Sequence, residues 1–303
     1  MTAHDGHRLQ RREVTAMTRA SKYDVAVLGC GLMGSALARR FASSGLTVTA
    51  WNRTPKGAEV LVTDGVVPAA TVREAVEGAG LVVVCMSDTD AALTTLDAAP
   101  SLAGLTVVNL SDGTREDIEG LVGRLDERGA RLLDGATFCY PEQIGDPGAM
   151  LVFSGSRAIW VEHEPTLRML GGRTRHLSDD IAAAKELYLG SSNFFGIALA
   201  GFVESTAYLL RRGRTLEEIH DTTGYCLDLL RHATEAMASA IGSGCHETDQ
   251  APIRVFADVA GKVVGELDSA GVDSTVTTAS KRKLEAAQRA GMGHLGYSAQ
   301  VLL

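Results

Sequence analysis

Between Tyr23 and about Leu177 the chain alternates short Val-rich apolar runs with amphipathic stretches, and beyond Leu177 the short runs give way to long patterns of helical period. The first pattern is that of βαβ units on a parallel sheet, because strands buried on both faces read as continuous apolar runs between one-sided helices. Five strands are predicted, at YDVAVLG, LTVTAWN, LVVVCMS, LTVVNLS and ARLLDGA. Between the last two, Ile118, Leu121, Val122 and Leu125 fall on one face of a helix.

The second pattern opens with Ser178, Asp179 and Asp180, good N-capping and first-turn residues, and runs without a breaker to Gly213. A helix of that length, apolar nearly all round, is expected to be buried between two chains rather than on the flank of one. Further helices are predicted to begin near Thr215, Asp249 and Thr278. The domain boundaries read from these changes are a disordered leader at 1–22, an α/β domain at 23–177 and an all-α domain at 178–303, joined by the long helix.

Composition narrows the classes of function. The chain has 303 residues, 45% apolar and 22% charged, enough for two ordinary globular domains. Its net charge of -8 disfavours a nucleic-acid partner, which needs clustered cations. Arg211, Arg212 and Arg214 read as a solvated helix end. Five scattered cysteines without a CxxC pair indicate neither a zinc site nor a disulfide framework, and read as reduced, mostly buried cytosolic thiols. No apolar run reaches the roughly 18 residues of a membrane span, and residues 1–22 lack the apolar middle of a signal peptide. A cytoplasmic protein with no metal, no nucleic acid and no membrane is expected.

The strand DVAVLG runs into Gly29, Cys30, Gly31, Leu32, Met33 and Gly34, a GxGxxG at the turn into a helix. Gly29 permits the tight turn, Gly31 lets a pyrophosphate approach the backbone, and Gly34 allows close helix packing, with Leu32 and Met33 opening the helix. This is the fingerprint of a Rossmann dinucleotide site. Where a site preferring NAD presents an acid to the ribose, this chain has Asn52, Arg53, Thr54, Pro55 and Lys56. Two cations and a hydroxyl suit a 2′-phosphate, so the expected cofactor is NADPH. Met86 and Ser87, at the end of LVVVC, fall where a parallel strand faces the ligand.

VLGCGLMGSALARRFASSGLTVTAWNRTP resembles the N-terminal signature of the β-hydroxyacid dehydrogenase superfamily, and the resemblance extends over nearly the whole chain after the leader. It implies a Rossmann domain followed by a helical domain, and a homodimer that exchanges its helical parts. The hydroxyacid branch carries a Ser-Gly-Gly motif after the fifth strand and a catalytic Lys followed four residues later by Asn. Here the fifth strand leads instead into DGATFCYPEQIGDPGAM, similar to the loop of the imine reductases, which reduce C=N bonds with NADPH. Tyr140, Pro141 and Met150 of this segment are assigned to the substrate pocket.

Alignment with the imine reductases puts Tyr188 where that family carries Asp or Tyr as its proposed proton donor. A phenol is protonated at neutral pH and can donate to a developing amine, so Tyr188 reads as proton donor, orienting hydrogen-bond donor or packing residue. Lys185 lies three residues earlier on the same helix face and is the alternative catalytic residue, for a 3-hydroxyacid dehydrogenase, but Leu189 stands where that branch has Asn. The commoner state of Lys185 is a solvated helix lysine. In VVNLSDGT the resemblance puts Asn109 and Ser111 beside the nicotinamide and Asp112 at the pocket, though Asp112 is equally natural as the N-cap of the next helix. Members that join separate carbonyls and amines carry Asn at the Asp112 position and Tyr at the Gly196 position. Neither is present, which points to a preformed cyclic imine as substrate. A non-catalytic NADPH-binding protein is the remaining alternative. AGMGHLGYSAQVLL resembles the family's closing helix, with His294 and Tyr297 on it.

Overall fold

The computed structural model describes residues 21–303. The leader expected at 1–22 falls, through residue 20, outside the described residues. The chain divides into two compact units whose boundary follows Gly190.

The first unit is built on an eight-stranded sheet. The strands are β1 (Tyr23–Leu28), β2 (Val48–Trp51), β3 (Val67–Pro68), β4 (Ala79–Val84), β5 (Thr106–Asn109), β6 (Arg131–Thr137), β7 (Leu151–Ser154) and β8 (Arg175–Ser178). Their order is β3-β2-β1-β4-β5-β6-β7-β8, all neighbours parallel except the antiparallel pair β6 and β7. Six helices belong to this unit, α1 (Leu32–Ser43), α2 (Lys56–Glu59), α3 (Val72–Val76), α4 (Thr89–Asp97), α5 (Arg115–Glu127) and α6 (Arg157–Leu167). Period-two alternation sends successive strand residues to opposite faces. Val25 and Val27 join one core with Leu37 and Phe41 of α1 and Trp160 of α6, whereas Ala26 and Leu28 join the other with Val72, Leu96, Ile118 and Leu121. The sheet is therefore covered on both faces, as a parallel sheet requires.

The five strands read from the sequence are β1, β2, β4, β5 and β6. β3, β7 and β8 were not among them. Val27 and Leu28 face Ala50 and Trp51 of β2 on one side and Val83 and Val84 of β4 on the other. The register continues through Val84 with Asn109 and Asn109 with Asp134, so these carboxyl ends stand level along one edge.

The long helix is α7 (Ala183–Arg211), and it begins later than the Ser178 start read from the sequence. Ser178 and Asp180 shape the turn before it, accepting from the backbone N–H groups of Asp180 and Ala182. The second unit holds the rest of α7 with α8 (Leu216–Ser243), α9 (Ile253–Ser269) and α10 (Thr275–Arg289). Glu204 of α7 is buried and supplies the cap that Ser274 does not: its carboxylate accepts from the N–H groups of Val276 and Thr277, at 3.0 and 3.1 Å, and from the Thr277 hydroxyl. Arg211 and Arg212 are tied to the end of α9, Arg211 through the carbonyls of Ala270 and Gly271 and Arg212 through Glu266 and Ser269.

Four expectations change. The closing segment is no α-helix: after Arg289 the chain loops, and residues Tyr297–Leu302 form a 3-10 helix, consistent with the three glycines between them. Of the cysteines, Cys30 is buried, Cys85 and Cys139 are half-buried, and Cys226 and Cys245 are exposed. Arg211 and Arg212 are anchored rather than simply solvated. Finally, α7 is long and apolar enough to cross a membrane by length and composition, because no charge interrupts it between Glu186 and Glu204.

Candidate active site

At the end of β1 the backbone of Gly29 adopts φ +100°, open to glycine, and its N–H donates to the Trp51 carbonyl at 2.8 Å. A Cβ at Gly34 would fall onto the carbonyl oxygen of Gly29, so α1 packs against the turn only because position 34 has no side chain. A Cβ at Gly31 would meet nothing within 4 Å. No side chain caps α1 at Gly31, so the first-turn N–H groups are left to an anion, which the dipole of a twelve-residue helix favours. Leu32 is 85% exposed over this turn and Met33 is half-buried.

The turn after β2 is fastened to the glycine turn. The Asn52 amide accepts from the Cys30 N–H at 2.9 Å and donates to the Thr54 carbonyl at 3.0 Å, so both of its ends are engaged within the protein. Arg53, Thr54 and Lys56 are exposed, and the side chains of Arg53 and Lys56 enter no hydrogen bond or ion pair among the described residues. Two unspent cations beside an uncapped helix N-terminus fit the adenosine end of a phosphorylated dinucleotide.

At the other end of the crest a polar chain links β4, β5, β6 and α7. The Met86 N–H donates to the Ser111 hydroxyl at 2.9 Å, the Ser111 N–H donates to the Asn109 side-chain carbonyl at 3.1 Å, and the Asn109 amide donates to Asp134 at 2.8 Å. The second oxygen of Asp134 lies 3.6 Å from the Lys185 ammonium, which also donates to the Gly135 carbonyl. Asn109, Ser111 and Asp134 are fully buried and Lys185 is 2% exposed. Lys185 is thus not the solvated lysine expected from its place on a helix. Burial raises the Asp134 carboxyl to about 6, against the opposing pull of Lys185 and of the hydrogen bond from Asn109. Burial likewise pushes the neighbouring Cys85 thiol up to about 11, with Lys185 pulling it down and Asp112 adding to the rise.

Tyr188, one turn beyond Lys185, is half-buried. Its ring meets Phe138 edge to face, 5.7 Å between centroids at 74°, in a cluster with Ala136, Met150, Val152 and Ala184. Its hydroxyl makes no hydrogen bond among the described residues. Met150 and Tyr188 are therefore brought together, whereas Pro141 turns toward α1 and lines a groove there with Leu32 and Ile144. Tyr140 is 57% exposed. Ser87 donates to Asp88, which caps α4 by accepting from Ala91. Asp112 does not cap α5: Thr114 does, in a reciprocal box with Asp117. Phe138 and Asp134 belong to the site and went unnoticed in the sequence. The acid inside the apolar run ARLLDGA was the available signal, since a buried carboxylate calls for a partner. No cluster able to hold a metal ion occurs among the described residues.

A glycine turn, free cations after β2 and a level strand edge are the features of a Rossmann dinucleotide-binding protein. Residues 24–178 match the family described as the NAD binding domain of 6-phosphogluconate dehydrogenase, and residues 180–302 match the C-terminal domain described as NADPH-dependent reductive aminase-like. The NADPH-dependent reductive aminase of Aspergillus oryzae is 30% identical over 228 residues, covering 74% of this chain and 75% of its own. The structure of an imine reductase from a Pseudomonas species superposes with a TM-score of 0.88 at 30% identity, covering 92% of this chain and 98% of its own. A reductive aminase from Aspergillus terreus in complex with NADPH and ethyl levulinate gives 0.88 at 29% identity, with the same coverage. The chain belongs to the family of reductive aminases and imine reductases that carry a 6-phosphogluconate-dehydrogenase-type NAD-binding domain.

Proposed function

We propose that this protein is an NADPH-dependent oxidoreductase that reduces a C=N bond, its substrate a preformed cyclic imine and Tyr188 its proton donor. The carrying observation is the state of the two candidate side chains on α7. Lys185 is engaged by Asp134 and the Gly135 carbonyl and has no free face for a substrate acid, whereas the Tyr188 hydroxyl is unengaged. Family membership supports the same chemistry.

When bound, the cofactor supplies a hydride to carbon. The residues of the chain do the rest. The Gly29–Gly34 turn and the α1 N-terminus receive the pyrophosphate, Arg53 and Lys56 the 2′-phosphate, and Thr54 supports them with its hydroxyl. Asn52 holds the two turns together. Asn109 and Ser111, through Asp134 and Met86, fix the ends of β4, β5 and β6 on the edge that would face the nicotinamide. Tyr188 presents a proton toward nitrogen, and the Phe138 ring restrains its orientation. Arg53→Ala is expected to weaken NADPH at least tenfold while leaving NADH nearly unchanged, measured by titration calorimetry. Equal weakening of both cofactors removes Arg53 from the site.

The homodimer is part of the proposal. On α7 and α8 the side chains of Phe194, Phe195, Ile197, Val203, Tyr225 and Leu227 are at least half exposed in one copy, an apolar surface that calls for a cover. A second copy covering these helices accounts for a long apolar α7 without a membrane, in keeping with a cytoplasmic enzyme. Function is tested by NADPH oxidation on adding dihydroisoquinoline. Consumption is expected, with no NADP reduction by 3-hydroxyacids. Turnover of a hydroxyacid with no imine accepted would replace this reading by the Lys185-based alternative.

A further inference from the structure

We infer that Ser154, at the end of β7, is a positioning residue for Tyr188: its hydroxyl sets where α7 enters the face of the sheet, and so where the phenol meets the substrate nitrogen. The inference rests on the reading of Tyr188 as proton donor.

The Tyr188 hydroxyl makes no hydrogen bond among the described residues, so no protein partner fixes its oxygen directly. Its place is set by the backbone that carries it and by the Phe138 ring. That backbone lies in the second turn of α7. Ala184 stands four residues earlier on the same face, in one cluster with Tyr188, Ala136 and Val152. A helix is rigid over a single turn, so a shift at Ala184 is carried to Tyr188.

The entry of α7 is held by a residue 30 positions away. The N–H of Ala184, the second residue of the helix, is one of the first-turn donors that a helix leaves without an internal partner. It donates to the Ser154 hydroxyl at 3.0 Å, and that hydroxyl donates in turn to the Ile181 carbonyl at 2.7 Å. Ser154 and Ala184 are fully buried. One hydroxyl thus satisfies a donor and an acceptor on either side of the helix start.

Ser154 is the cross-strand partner of Asp134, so the two side chains stand next to each other on one face. Asp134 takes Lys185 and Ser154 takes Ala184, and adjacent helix residues are seated on adjacent strands. Arg115 of α5 adds ties from the solvent side, to Asp180 at 2.8 Å and Glu186 at 2.7 Å. Water weakens those exposed pairs, whereas a hydrogen bond buried in the protein keeps its strength. Without the Ser154 hydroxyl, the Ala184 N–H and the Ile181 carbonyl lose their partner, and the turn must move to find others.

The two kinds of C=N substrate respond differently to such a movement. In a neutral imine, hydride adds to carbon, the π pair takes a proton at nitrogen, and the phenol supplies it. In an N-alkylated iminium the pair settles on a nitrogen that is already cationic, and a neutral amine results without a proton transfer. A misplaced phenol slows the first reaction and spares the second.

Ser154→Ala, Tyr188→Phe and the double variant are compared with the wild-type enzyme at alkaline pH, on dihydroisoquinoline and on the permanently cationic N-methyl dihydroisoquinolinium. Ser154→Ala is expected to lower kcat for dihydroisoquinoline about tenfold, with kcat for the iminium and Kd for NADPH unchanged. Ser154→Cys, which keeps a weak donor and acceptor, should fall between. In the Tyr188→Phe background Ser154→Ala should cost nothing further, because a hydroxyl that is missing cannot be misplaced. Equal losses on both substrates, no loss on either, or an undiminished loss on top of Tyr188→Phe would overturn the role of Ser154. If Tyr188→Phe is itself as fast as the wild type, or the wild type oxidises no NADPH with any imine, the proton-donor or the C=N reading fails first and the role of Ser154 goes with it.

Discussion

Lys185→Met is expected to destabilise the protein by about 3–5 kcal/mol, because it leaves the Asp134 carboxylate buried without its counter-charge. The pair is inaccessible on both sides, so solvent does not screen it. Asp134 already has its folded pKa raised to about 6 by burial, above the ordinary carboxylate value. A raised carboxyl contributes stability at low pH that is lost as pH climbs through the folded pKa. Without Lys185 that pKa rises further, so the deficit should grow between pH 5 and pH 8 instead of levelling off near 6. Urea unfolding of the variant at both pH values measures this. Adding Asp134→Asn to Lys185→Met should recover more than half of the loss, since no charge then remains buried and Asn109 keeps a partner. A single variant as stable as the wild type, or a double variant no better than the single, would mean that the pair contributes nothing to the fold.

Tyr188→Phe should lower kcat about a hundredfold for dihydroisoquinoline at alkaline pH, where the imine arrives without its proton. The loss should shrink as pH falls, because a substrate that enters protonated brings what the phenol would give. With N-methyl dihydroisoquinolinium, which needs no proton, the variant should match the wild type. The ring and its edge contact with Phe138 survive the substitution, so packing is not at issue. Equal losses on both substrates would make Tyr188 a positioning residue, and no loss on either would leave it a packing residue.

Much of this was legible in the sequence because it is local. The alternation of DVAVLG, the glycines after it and the loss of short strands beyond Leu177 are patterns within one window, and they lead to β1, the turn and α7. What escaped depends on partners far along the chain or on very short elements. β3 has two residues, and β7, although the apolar run LVFS is plain, pairs antiparallel to β6 and so breaks the βαβ rhythm. Lys185 was misread because its partners, Gly135 and Asp134, lie 50 residues or more away in sequence and become neighbours only when α7 closes on β6. Asp112 and Thr114 are both capping residue types, and the spacing of Thr114 to Asp117, a capping-box signature, was the evidence in the sequence for choosing between them.

The most direct measurement is the fate of deuterium carried at C4 of NADPH when the enzyme reduces a cyclic imine. The expected product is the cyclic amine with deuterium bonded to the former imine carbon, seen by mass spectrometry and located by NMR. Amine lacking the label at that carbon, or label appearing only in a hydroxyacid when the corresponding oxoacid is supplied, would contradict hydride delivery to a C=N bond.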